Sequence, residues 1–372
     1  MTVNKSSRAL TLAAVLALAS AAALANPNLD AIQWIQRISQ AAHKLNYSGT
    51  FIYLQQGGLP QTSRITHMME GGVERERLEM LEGAAVVVVR TNDEVKSYLP
   101  DSKTVLIEKR RARATFPALA AMAAATQGST PVSTQGAIPA ALPGAAQIAV
   151  QSGTQSAQLP VDFSANYTVR KWDTQRIAGL DCQVLLLEPK DGLRYTHKLW
   201  ADMNSGLLLK AQSFNEKGEV VEQIGFTQIE IGGVIEKYQA KFSRRDGGPG
   251  WRTATAQVWD ANLVESGWKI DPALPGFRKI SEMKRSRDDG VEVGQVVFSD
   301  GLTSVSVFVE AARAGVKTRE GLSSHGAVSV YRRTLGDQLV TVLGEAPAAC
   351  VTRIAKSVEF RPVAVAPARA VP

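Results

Sequence analysis

Apolar residues recur at helical spacing in two stretches of the chain and at a spacing of two almost everywhere else. Between residues 28 and 45, Ala31, Trp34, Ile35, Ile38, Ala41, Ala42 and Leu45 fall on one side at 100° per residue, with Gln33, Arg37, Gln40 and Lys44 opposite. This predicts an amphipathic helix capped by Asn28, with His43 on its solvated face. From Gly49 the period drops to two, and the apolar runs are broken at Gly57-Gly58, Gly71-Gly72, Thr91-Asn92-Asp93 and Pro100-Asp101. The pattern resumes after Asp162, with breaks at Lys190-Asp191-Gly192, Asn204-Ser205-Gly206 and 215–218. Sequential hairpins of this kind predict an antiparallel meander of about ten strands, enough to curl towards a barrel.

Three runs, Val86–Val89, Leu185–Leu187 and Leu207–Leu209, are apolar at consecutive positions. A strand with one wet face would alternate, so both faces of the sheet are expected to be covered there. The bland reading is a double-sided core. The sharper one is a lipid-sized cavity between the helix and the curled sheet, lined by Trp34, Ile38, Val87, Leu185 and Leu208.

A second unit follows a Gly-rich stretch, Arg244-Arg245-Asp246-Gly247-Gly248-Pro249-Gly250. Its hairpins turn at Asp300-Gly301 and around Gly336-Asp337, between valine-rich strands. Pro347 then opens a helix whose Cys350, Val351, Ile354 and Val358 share a face. The fold class expected is therefore α+β and mostly antiparallel: a large unclosed barrel wrapping a helix, then a smaller sheet with a packed helix. The expected boundaries are 26–235 for the barrel, 236–256 for a linker, 257–361 for the second domain and 362–372 for a disordered tail. A low-complexity insertion at 112–161 interrupts the barrel, and from 114 to 161 it contains no Asp, Glu, Lys, Arg or His. It reads as a mobile insertion in one hairpin loop or, alternatively, as a lid over a pocket.

Composition changes this picture at the N-terminus. Lys5 and Arg8 precede an apolar run from Ala9 to Ala19, and Ala23-Leu24-Ala25 closes it, as in a signal peptide (1–25) cleaved before Asn26. The mature chain is therefore expected to be soluble and exported. A formal charge of +7 over 372 residues is modest, and no aromatic platform interleaves the basic residues, so nucleic acid is not an expected partner. Basic residues do cluster at Arg278, Lys279, Lys284, Arg285 and Arg287, where an acidic protein segment or an anionic lipid headgroup could bind; a solvated loop is the bland alternative.

Catalytic signatures are missing: the chain has no H-E-x-x-H, G-x-S-x-G, P-loop, C-x-x-C or dinucleotide fingerprint. No enzyme activity, cofactor or metal is expected. The histidines are too dispersed for metal-ligand spacing, and His67 and His197 read as packing residues within strands. Cys182 and Cys350 each fall on an apolar face, as buried thiols or, alternatively, as one bridge between the domains.

Four segments in order carry a resemblance: residues 176–210, Trp268 with LPGF at 274–277, FSDGLTSVSVFVE at 298–310, and LGEAPAACVTRIAKSVEF at 343–360. Together they are similar to the MucB/RseB family over nearly the whole chain behind the leader, apart from the insertion and the tail. The resemblance implies a periplasmic negative regulator of the envelope-stress sigma factor. It would bind the periplasmic segment of an RseA- or MucA-like membrane anti-sigma factor and shield it from a DegS-like protease. It also implies a first domain similar to LolA and LolB, and release by lipid or lipopolysaccharide. Arg278, Lys284, Arg285 and Arg287 are then candidate partner contacts. A lipid or lipoprotein carrier is the alternative, a hydrolase is a third reading, and a homo-oligomer stays open.

Overall fold

The structure is a computed structural model that describes residues 27–83, 85–109, 163–233, 248–255, 258–286, 291–312 and 319–362. The expected leader, the uncharged insertion, most of the expected linker and nearly all of the tail lie outside the described residues.

Helix α1 (Pro27–Lys44) starts one residue before the expected cap, Asn28. It precedes β1 (Tyr47–Gln55), β2 (Gln61–Glu70), β3 (Val73–Met80), β4 (Val87–Arg90), β5 (Glu94–Leu99) and β6 (Thr104–Lys109), which form a meander. A single turn of helix, α2 (Phe163–Asn166), then leads into β7 (Tyr167–Ile177), β8 (Leu180–Pro189), β9 (Thr196–Asp202), β10 (Leu208–Phe214) and β11 (Val220–Ile231). The two meanders join where β1 pairs with β11. A further strand, β12 (Arg252–Thr255), comes from within the expected linker and pairs in parallel with β6. The twelve-stranded sheet runs β12-β6-β5-β4-β3-β2-β1-β11-β10-β9-β8-β7 and is not closed between its two end strands.

Alternation assigns the faces of this sheet. Lys171, Leu185, Leu199, Ala211 and Ile224 form one cross-strand row. Lys171 meets Asp30 of α1 at 2.9 Å, so this row is on the helix side. The helix buries Ala31, Ile35 and Ile38 against it, and Arg37 ties the helix down by donating to the carbonyls of Met203 (2.9 Å) and Asn204 (2.5 Å). The next row, Trp172, Val184, Trp200, Lys210 and Gly225, points away from the helix.

The second sheet comprises β13 (Val258–Asp260), β15 (Arg278–Ser286), β16 (Glu292–Ser299), β17 (Ser304–Ala311), β18 (Gly321–His325), β19 (Val328–Leu335) and β20 (Gln338–Gly344), in the order β13-β15-β16-β17-β20-β19-β18. Both expected hairpin turns are present, and Gly336 takes the positive φ (61°) that its turn requires. Helix α3 (Ala348–Ser357) packs on β18, β19 and β20, burying Cys350, Val351, Ile354 and Ala355 against Val305, Val307, Val340 and Val342. A short ladder of β14 (Trp268–Lys269) with β21 (Glu359–Phe360) closes the end, with the Trp268 and Phe360 rings 4.5 Å apart. Cys182 and Cys350 are both buried and free, so the thiol alternative holds and the bridge does not.

Candidate functional site

Three places could carry function: the layer between α1 and the sheet, the basic edge of the second domain, and the joint between the domains. In the first, Ile38, Leu185 and Leu208 belong to one buried apolar cluster, and Trp34 packs at its margin. Val87 does not join them. Strand β4 alternates, and Val86 and Val88 take the core side, which leaves Val87 half-buried on the other face.

A polar network borders this cluster at the C-terminal end of α1. His43, expected in solvent, instead sets Nδ1 3.2 Å from Glu74 Oε1, because the end of the helix rests on the β2–β3 hairpin. His67 is fully buried, stacked on Tyr47 at 4.9 Å. Its Nδ1 donates to the Leu45 carbonyl (2.7 Å), and its Nε2 lies 3.2 Å from the same Glu74 oxygen. A carbonyl only accepts, so the His67–Glu74 contact must hold a proton of its own, on the imidazole or on the carboxyl.

The basic edge is less uniform than its sequence. Arg278 and Lys279 are exposed, Lys279 is paired with Glu282, and Lys284 is half-buried 3.5 Å from Glu292. Arg285 is a correction: it shares the inward face of β15 with Met283, is buried, and donates to Gln295 Oε1 at 2.6 Å. Burial pushes its guanidinium below the ordinary value, against the charge of Glu108 on β6. Glu108, in turn, is pushed up to about 7 by burial, with Arg285 opposing. A partner meeting this face would therefore reach Arg278 and Lys284 before Arg285. Arg287 lies outside the described residues.

The joint is the site that sequence reasoning missed. Arg194, in the β8–β9 loop, and Asp300, in the β16–β17 turn, form an ion pair in which both side chains are 0% exposed. Arg194 Nε donates to Asp300 Oδ2 at 2.5 Å, Nη1 to Asp191 Oδ2 at 2.5 Å and Nη2 to the Pro275 carbonyl at 2.5 Å. Its guanidinium carbon lies 4.8 Å from the Phe277 ring centre and 5.8 Å from that of Tyr167. Tyr167 donates to Asp300 Oδ2 (3.1 Å), while Asp300 Oδ1 accepts the backbone N–H groups of Leu302 (3.0 Å) and Thr303 (2.8 Å). Burial works against the charge on Arg194, but Asp300, together with Tyr167 and Asp191, outweighs it and holds the guanidinium above its ordinary value. Gly276 has φ +77°, and a Cβ there would overlap the Asn166 amide, so the loop needs glycine to come this close.

A second contact between the domains lies beside this one. Tyr195, Val221 and Ala327 form a small apolar cluster, and buried Glu222 accepts from Tyr53 Oη at 3.3 Å. Burial pushes Glu222 up to about 7, with the Tyr53 hydrogen bond opposing. Glu345 is raised well above its ordinary value, first by burial and then by the charge of Glu222. His197, 3.2 Å from Ser213 Oγ, is pushed down to about 4 by burial, with Asp300 opposing.

Among the described residues no group of three or more His, Cys, Asp or Glu could hold a metal ion. Comparison with known proteins gives two matching family models, the MucB/RseB N-terminal domain over residues 30–243 and the MucB/RseB C-terminal domain over 262–359. The sigma factor AlgU regulatory protein MucB of Pseudomonas aeruginosa is 30% identical over 91% of this chain and 92% of its own length. The sigma-E factor regulatory protein RseB of Salmonella typhimurium is 24% identical over 95% and 98%. Among solved structures, the Pseudomonas aeruginosa MucA/MucB complex is similar at 25% identity and a TM-score of 0.61, covering 90% of this chain and 100% of that one. A crystal structure of MucB with MucA(peri) gives 25% identity, a TM-score of 0.59 and the same coverage.

Proposed function

The chain belongs to the MucB/RseB family, and from that premise we propose that it is a periplasmic negative regulator of an envelope-stress sigma factor. It binds the periplasmic segment of an RseA- or MucA-like anti-sigma factor and shields that segment from proteolysis. The observation that carries this reading is the buried joint. Three of the segments that gave the resemblance supply Arg194, Pro275 with Phe277, and Asp300, and these meet at one point between the two family domains. A lipid carrier would need the first domain alone and leaves this joint without a purpose. Arg278 and Lys284 are the contacts available to an acidic segment. Export follows from the expected cleavage after Ala25, and among the described residues no helix is long and apolar enough to cross a membrane.

Lipid release extends the same reading. An acyl chain inserted among Trp34, Ile38, Leu185 and Leu208 would gain about 0.8 kcal/mol per buried methylene, so a few carbons match the ~1–3 kcal/mol of a typical coupling between sites. By linkage, lipid and partner must then weaken each other by one factor. The test is protection of a MucA-like periplasmic segment from a DegS-like protease by the purified full-length mature protein, followed by titration with acylated lipid. Protection that lipid reverses supports both statements. An unprotected segment refutes the regulator reading, and protection that lipid never reverses refutes the release step alone.

A further inference from the structure

The sheet face turned away from α1 carries a charge arrangement that neither the core nor the joint accounts for. Lys198 and Lys210, on β9 and β10, bring their ammonium groups 5.1 and 4.8 Å from the centre of the same Trp200 ring. Lys198 Nζ is also 5.7 Å from the ring of Trp172, whose side chain is 51% exposed on the end strand β7. Neither lysine has an ion-pair partner among the described residues. Glu188, the carboxylate on the adjoining strand, is taken by Arg170. The indole N–H of Trp200 is likewise satisfied, by Gln175 Oε1 at 2.7 Å, and the ring itself is buried beneath the two lysines, so the ammonium groups and Trp172 are what the surface presents.

Covering Trp200 with lysine stems would account for one lysine, since a long side chain can shield apolar surface while its head stays in water. It does not account for two. Their like charges repel, and burial together with the Lys198 charge pushes the Lys210 ammonium below its ordinary value. An anion between the heads would remove that cost. The half-exposed indole beside them favours a source with an apolar layer behind its charge, because Trp sits at boundaries where one side is apolar and the other wet.

We propose that the surface formed by Trp172, Lys198 and Lys210, carried on the buried ring of Trp200, is a docking surface for the phosphate headgroups of an anionic phospholipid bilayer. Trp172 sits at headgroup level and the two ammonium groups meet the phosphates. The surface lies on the opposite side of the sheet from α1, so it neither uses nor requires the acyl-binding layer, and its failure would leave the regulator reading untouched.

The experiment is co-sedimentation of the full-length mature protein with phosphatidylcholine vesicles, with and without phosphatidylglycerol, at rising salt. Binding is expected only to vesicles containing phosphatidylglycerol and is expected to weaken with salt. Lys198→Gln and Lys210→Gln should each weaken binding about fivefold, the equivalent of ~1 kcal/mol per lysine near an anionic surface. The double variant should lose about 30-fold by the same constant, and Trp172→Ala should weaken binding independently of salt. These three side chains are changed with the fold monitored by thermal unfolding, the buried Trp200 is left in place, and the pair Arg278→Gln with Lys284→Gln serves as a charge-matched control. Equal loss in that control, undiminished binding by the Lys198/Lys210 double variant, or absence of binding to any vesicle would overturn the proposal. So would retention of a Glu-rich peptide or inorganic phosphate by these lysines in a protein that ignores vesicles.

Discussion

Replacing Arg194 by Met tests whether the joint holds the two domains together. Methionine keeps much of the stem against Phe277 and Tyr167 but leaves Asp300 buried without its counter-charge. Breaking a buried ion pair by removing one partner costs about 3–5 kcal/mol. Asp300 would still accept from Tyr167 and from the Leu302 and Thr303 amides, which favours the lower end, while the Pro275 carbonyl loses its donor. At ~2.1 cal/mol/K per residue, a cooperative unit of about 200 residues would then melt roughly 7–12 °C lower. Asp300→Asn keeps the Oδ1 acceptor and removes the charge, so it should cost a similar amount. Once either change has been made, the second should cost much less. A double-mutant cycle followed by urea unfolding should therefore show a coupling of about 1.5–3 kcal/mol. Additivity within ~0.5 kcal/mol would show that the two groups contribute separately, and the joint would not be a unit.

Other outcomes follow from the same contacts. Leu185→Ala, in the buried cluster under α1, should cost about 2–5 kcal/mol, whereas Val87→Ala on the other face should cost under ~1.5 kcal/mol, both read from chemical denaturation. Equal costs would mean that β4 does not present Val87 away from the core. Glu222 is raised in the folded protein, so its contribution is present below the unfolded value and is lost as pH rises towards about 7. His197 is lowered to about 4, so its contribution is present above the unfolded value near 6.5 and is lost as pH falls towards 4. Glu108 and Glu345 are raised as well, so Glu222→Gln removes only one of the contributions that fall with rising pH, and its melting temperature relative to wild type should climb between pH 4.5 and 7; a difference that stays constant with pH would contradict this. Burial pushes the thiols of Cys182 and Cys350 up to about 11 and about 12, so neither should react with iodoacetamide at neutral pH until the protein unfolds. Mass spectrometry of the native protein would reveal any early alkylation.

What the sequence made legible was whatever two residues within one hairpin or one helical turn determine between them. The stripe from Ala31 to Ala42, the turns at Asp300-Gly301 and Gly336-Asp337, and the apolar face of α3 are all set by neighbours in the chain, and they stand where the pattern put them. Parity is harder. A run such as Val86–Val89 satisfies both faces equally, so Val87 could be placed only by the pairing of β4 with β3 and β5, which fixes Val88 inward. Strand β12 carries no apolar alternation. It is held by a parallel ladder to β6, and that contact lies far off in the chain.

The charged residues follow the same logic with larger consequences. Arg285 looked like part of a basic surface because the sequence displays a charge but not the face on which it sits. One position in β15 separates half-buried Lys284 from buried Arg285, and the difference depends on Gln295 and Glu108, the second of which belongs to the other domain. Arg194 and Asp300 are an extreme case. Each is one charge in a turn where charges are ordinary, and they are 106 residues apart. Only the folded chain reveals that neither side chain touches water, which turns two routine turn residues into a buried tie between the domains. Each partner is costly to bury without the other, so the pair should gain or lose its stabilisation as one unit and not group by group.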